Sequence, residues 1–100
     1  MSNLHIINSS PDRGTSLKSC LRVVQNGDAI ILIEDAVIVA KKESQTEILI
    51  NNITTKLFVL EPDLKARGIR SDQVIEGIEL VSYNDFVKLT VKYNSIQTWN

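Results

Sequence analysis

The stretches Asp28–Ile33 (DAIILI) and Lys56–Leu60 (KLFVL) are almost unbroken apolar runs of strand length. A strand with one wet face alternates apolar and polar residues, whereas a strand buried on both faces does not. Two such runs demand a sheet covered above and below, and in a chain of 100 residues only helices drawn from the intervening segments can supply that cover.

The intervening segments have the required period. Leu17, Cys20, Leu21 and Val24 form an i, i+3, i+4, i+7 stripe, with Thr15 and Ser16 available as caps and Asn26-Gly27 as a stop. A helical stretch is expected from about Ala36 to Lys42 and a second piece over 45–52, carrying Ile48 and Leu49, with Ile53 just beyond. Glu61-Pro62-Asp63 turns the second run into a short helix that ends at Gly68. Leu4–Asn8 and Ile78–Val81 read as further strands. From about Asn84 a helix places Phe86, Leu89, Thr90 and Tyr93 on one side, and Ile96 to Trp99 can form a small extra strand. Alternation of this kind predicts one α/β domain over residues 1–100, an open parallel sheet of four to five strands with helices on both faces. Sites in such sheets lie outside the carboxyl ends of the strands. Those ends are Ser9-Ser10-Pro11, Glu34-Asp35, Glu61-Pro62-Asp63 and Ser82-Tyr83-Asn84.

Several function classes lose their usual chemistry. A net charge of −1, with Lys41, Lys42, Lys56, Lys65, Arg67 and Arg70 scattered, gives no basic stripe for direct nucleic-acid binding. Neither a G-x-G-x-x-G nor a P-loop follows a strand, and Gly14 alone before the first helix is weak support for a phosphate cradle, so no cofactor is expected. One histidine, His5, and one cysteine, Cys20, do not make a zinc site. A single thiol suits a reducing compartment. The opening MSNLHIINSS lacks the basic and apolar regions of a signal peptide, and the apolar runs are interrupted by Glu34 and Asp35. A cytoplasmic protein with no membrane contact is the expectation.

Cys20 is the one strong nucleophile. Its place in the apolar stripe suits a buried, inert thiol; a reactive one needs a helix N-terminus or a cation beside it, and Lys18 and Arg22 point to the other face. The spacing favours the core role and leaves the reactive one open. Asp35 and Asp63 are expected to cap the helices that follow them, and His5 to be a packed, hydrogen-bonded histidine. Trp99 is either a plug closing the core or part of a partner surface.

The stretches LHIINSSP at 4–11, SLKSCLRVVQNGDAIILIEDAV at 16–37, KLFVLEPDLKARGI at 56–69 and VSYNDFVKLTVKYNSIQTW at 81–99 occur in the order and spacing of the DsrH/TusB family of sulfur-relay subunits, which the chain resembles over almost its full length. Residues Lys41 to Thr55 match poorly. The resemblance implies a flavodoxin-like fold of the DsrEFH kind, within a hexamer that also contains TusC/DsrF-like and TusD/DsrE-like subunits. Such assemblies pass persulfide sulfur to a small TusE/DsrC-like carrier. The sulfur serves 2-thiolation of the tRNA wobble uridine or, in the Dsr setting, cytoplasmic sulfur oxidation. The resemblance implies an accessory subunit rather than an enzyme in its own right. It also aligns Cys20 with a position where DsrH-type members carry a cysteine, which adds a sulfur-carrying role to the core one. An independent Cys20-dependent sulfurtransferase is the competing class, and it lacks the basic loop that an anionic sulfur donor requires.

Overall fold

A computed structural model describes residues 2–10, 16–43, 47–51 and 53–100. The expected roles of Pro11, Gly14 and Thr15 and the side chains of Ile48 and Leu49 lie outside the described residues.

Five strands form one parallel sheet: β1 (Asn3–Ile7), β2 (Ala29–Leu32), β3 (Lys56–Leu60), β4 (Glu79–Val81) and β5 (Ser95–Trp99), in the order β4-β3-β2-β1-β5. The helices are α1 (Ser16–Val23), α2 (Glu47–Asn51), α3 (Glu61–Ala66) and α4 (Tyr83–Lys92), with 3-10 turns at Glu34–Ala40 and Ser71–Gln73. The expectation of an α/β sheet covered on both faces holds, and Ser95–Trp99 is the extra strand. One helical expectation changes in kind. Residues 34–40 form a 3-10 segment rather than an α-helix, and Glu34 enters it in the left-handed backbone region at φ 51°.

The order explains the layering. Strands β1 to β4 step in one direction, and right-handed crossovers then place all their connecting helices on the same face. The return from β4 to β5 crosses the whole sheet and brings α4 to the opposite face. Alternation along the strands divides the core accordingly. Ile7, Ile30, Leu32, Leu57 and Val59 join Leu17, Cys20 and Leu64 on the first face, while Leu4, Ile6, Ile31, Phe58 and Leu60 join Leu89 on the second. Every residue of β2 is fully buried, as its unbroken apolar run requires.

Helix α4 starts where its cap dictates: the Ser82 hydroxyl accepts the Asp85 N–H at 3.2 Å. It turns Phe86, Leu89 and Tyr93 toward the sheet. Tyr83, Val87 and Val91, spaced i, i+4, i+8, remain exposed, Val91 at 81%.

Candidate functional site

Polar chemistry inside the first layer gathers around Asp28. Gln25, Asn26, Gly27 and Asp28 make a tight turn, with the Asp28 N–H donating to the Gln25 carbonyl at 3.0 Å and Gly27 at φ +91°. That is a type II arrangement, in which the third residue must accept positive φ. The turn swings the Asp28 side chain inward. Oδ1 accepts the Asn3 N–H at 2.9 Å, and Oδ2 accepts the Gln25 N–H at 3.0 Å and lies 2.9 Å from His5 Nε2. Space around Gly27 is open, so Gly27→Ala is expected to cost only the left-handed backbone penalty, roughly 1–2 kcal/mol, measurable by denaturant unfolding.

His5 is buried, 1% exposed, and both its ring nitrogens are engaged. Nδ1 accepts the indole N–H of Trp99 at 3.2 Å. An indole is only a donor, so Nδ1 must offer a lone pair and the Nε2 proton goes to Asp28. Burial pushes the Asp28 carboxyl upward, but hydrogen bonds from His5, Asn3 and Gln25 and the proximity of His5 more than offset this and hold it below the ordinary carboxylate value of 3.8. The histidine is packed and bonded, as the sequence predicts. Trp99 packs partly buried against the first core cluster, as a closing plug would.

Asp28 is the functional residue that the sequence pattern hides, because it stands at the head of the apolar run DAIILI. A signal was present. An aspartate that follows Asn-Gly and precedes five apolar residues cannot be buried without donors, and the sole histidine lies on a strand that the same pattern pairs with it.

Cys20 lies in the same layer and is fully buried. Burial first, and then the Asp28 carboxylate, push its thiol from an ordinary 9.0 up to about 12. This leaves about a thousandfold less thiolate than an unperturbed cysteine would show at neutral pH. Native-state alkylation with iodoacetamide is therefore expected to be slower than that of a free thiol by about that factor, and to become fast on unfolding. Mass spectrometry of quenched time points checks this. The same two causes raise Tyr93.

The carboxyl ends of the strands hold a separate set of groups. Asp35 and Asp63 do not cap the helices that contain them. Neither helix start is capped by the side chain of its own N-cap residue, Ile33 or Leu60. The Asp63 carboxylate instead accepts the Glu34 N–H at 2.6 Å, capping the neighbouring 3-10 segment across the groove, while Asp35 pairs with Arg67 at 2.8 Å. The reason is geometric: each carboxylate already lies in the first turn of its own helix, beyond the cap position, and reaches sideways. Between α3 and β4 runs a cleft of about 380 Å³ floored by Leu64, Ile69 and Leu80, with Lys65 and Arg70 at its rim. Cys20 does not line it. Among the described residues no group of three His, Cys, Asp or Glu side chains is arranged to hold a metal ion, and no helix is long and apolar enough to cross a membrane.

Known proteins resemble this chain over nearly its whole length. Residues 9–96 match the family described as DsrH like protein. Protein TusB of Yersinia pestis (strain Pestoides F) is 38% identical over 96 residues, which span 96% of this chain and 99% of that protein. Protein TusB of Pectobacterium parmentieri is 36% identical over the same shares. Among solved structures, the ychN protein from E. coli superposes with a TM-score of 0.76 at 19% identity, covering 99% of this chain and all of that one. The protein of unknown function MTH1491 from Methanobacterium thermoautotrophicum gives 0.72 at 20% identity, with 96% of each chain covered. These two structures establish the shared fold.

Proposed function

The chain belongs to the DsrH family, and from that premise we propose that it is a subunit of a sulfur-relay complex supporting 2-thiolation of the tRNA wobble uridine. The observation that carries this reading is the relationship to TusB proteins over 96% of this chain and 99% of theirs. The proposed partners are TusC/DsrF-like and TusD/DsrE-like subunits within one hexamer, which delivers persulfide sulfur to a TusE/DsrC-like carrier in the cytoplasm.

The geometry supports an accessory role in that relay. A sulfur-carrying cysteine must be reached by a donor persulfide and must leave as a thiolate, and Cys20 in this conformation is sealed and protonated at neutral pH. Persulfide passage through Cys20 therefore requires opening of the first layer, while a supporting role requires nothing further. The exposed α4 stripe of Tyr83, Val87 and Val91 has the aromatic and apolar composition of an interface core.

Co-purification of the tagged chain from its own host tests the reading. Recovery with two homologous subunits in equal ratio supports it, and recovery as a lone monomer or homo-oligomer overturns it. Loss of 2-thiouridine from tRNA in a deletion strain separates tRNA modification from sulfur oxidation. Val87→Asp with Val91→Asp is expected to leave the thermal stability of the isolated chain within about 0.5 kcal/mol, as for other exposed positions, while abolishing recovery of the partners. Retention of both partners by this variant would remove α4 from the interface.

A further inference from the structure

The chain has one histidine and one tryptophan, and they are bonded to each other. Their rings lie 6.2 Å apart at 33°. His5 stands on β1 and Trp99 on β5, so this side-chain bond ties the edge strand to its neighbour from inside the first layer. Beyond the β1–β5 ladder, which pairs Ile6 with Thr98 and Ile7 with Trp99, the other ties described at this end of β5 are peripheral. Ser16 Oγ donates to the Asn100 carbonyl at 2.6 Å, Asn8 Nδ2 to Asn100 Oδ1 at 2.8 Å, and the Asn8 N–H to the Trp99 carbonyl at 3.3 Å.

Protonation of His5 places a second N–H on the ring, at Nδ1, facing the indole N–H. Two donors cannot share that space, so one ring must leave. Asp28 decides which. Its carboxylate is held by two backbone donors and attracts an imidazolium more strongly than a neutral imidazole, so His5 stays. Trp99, only partly buried and on an edge strand, gives way. The charged and titratable groups around this site are few. Asp28 leads into β2, Cys20 faces it from α1, and Tyr93 and Lys56 line a small cleft against Asp28. Strand β5 itself carries no charged side chain.

We propose that the His5–Trp99 hydrogen bond is a protonation-sensitive latch on β5, and that proton uptake at His5 Nδ1 expels the indole and uncovers the core compartment containing Cys20. The latch rests on hydrogen-bond geometry alone and stands whether or not the sulfur-relay reading holds.

Two readouts on the isolated chain test it. Trp99 emission is followed from neutral to mildly acidic pH, with far-UV circular dichroism in parallel. Cys20 is reacted with dipyridyl disulfide, whose attack on thiols persists in acid, and the rate is normalised at each pH to a small free thiol. Expected is a red shift of emission with unchanged dichroism, and a rise in the normalised Cys20 rate with the same midpoint. The rise should be roughly five- to tenfold, the effect of losing one hydrogen bond. His5→Gln keeps a donor toward Asp28 but neither accepts from Trp99 nor titrates. It should show red-shifted emission at all pH values. Trp99→Phe should give the faster Cys20 rate already at neutral pH, with no further rise in acid. The latch is overturned if dichroism is lost with the fluorescence midpoint, if His5→Gln titrates like the parent, or if Trp99→Phe keeps the slow neutral rate. Should both variants fail to fold, the coincidence or divergence of the two midpoints in the parent chain still decides.

Discussion

Replacing Asp28 with alanine is expected to destabilise the domain by about 4 kcal/mol, because it strands three hydrogen-bond donors at once. His5 Nε2, the Asn3 N–H and the Gln25 N–H all lose their acceptor, and a buried donor left unmade costs roughly 1–3 kcal/mol. For a domain of this size about 1 kcal/mol corresponds to roughly 4–8 °C, so a fall of roughly 15–30 °C in Tm should be seen by calorimetry. Asp28→Asn keeps the volume and one acceptor oxygen but turns an amide N–H toward donors, and should cost about half as much. The pH dependence has a definite sign. The folded-state carboxyl is held below its ordinary value, so its contribution is complete above the ordinary carboxylate range. It is lost as pH falls through the lowered value. Urea midpoints measured across the acid range should therefore drop more steeply for the parent chain than for Asp28→Asn. Equal slopes would mean that Asp28 is not the responsible group.

The second large effect belongs to Ile31→Ala, for which about 3–4 kcal/mol is expected from lost burial plus the cavity left behind. Ile31 is fully buried at the centre of the second face, between Ile6 on β1 and Phe58 on β3. Both neighbours are fixed by strand pairing. Among the described residues the helix above them is α4, which is tied to this face through Leu89, Phe86 and Tyr93 and cannot settle into the gap without lifting at one end. Chemical denaturation of the variant checks the magnitude. A loss under about 1 kcal/mol would show that α4 follows the cavity down, and that the second layer is softer than its burial suggests.

The parts of the architecture that rest on local periodicity were legible in the residues. DAIILI and KLFVL could only be doubly covered strands, and they are β2 and β3 at the middle of the sheet. The stripe through Leu17 and Cys20 identified α1 and its buried side. Legibility ended where the outcome depends on a partner distant in sequence. Asp28 belongs to a strand by pattern, yet its role is set by His5 and Asn3, residues 23 and 25 positions away. Asp35 and Asp63 carry the composition of caps, and the register of two neighbouring loops sends each to a different partner. The 3-10 character of residues 34–40 shows in the Ala36 N–H, which returns to the Ile33 carbonyl three residues back, and nothing in EDAVIVA announces it. His5 could be recognised as bonded because a buried imidazole has to be, but nothing in LHIIN names Trp99 as the donor.

Placing β5 beside β1 has a kinetic consequence. Leu4 meets Ala29 on one side and Ile96 on the other, so the same strand closes a loop of 25 residues in one direction and of 92 in the other. The longer closure costs only about 1 kcal/mol more in chain entropy, but it has to wait until β2, β3 and β4 have given β1 a fixed position. Folding should therefore run from a four-stranded intermediate arrangement to a late docking of the edge, with β5 side chains contributing little to the rate-limiting barrier. Reversal of that order sets the route of unfolding. The edge should detach as a separate cooperative piece, and its amides should exchange with solvent far ahead of those in β2 and β3.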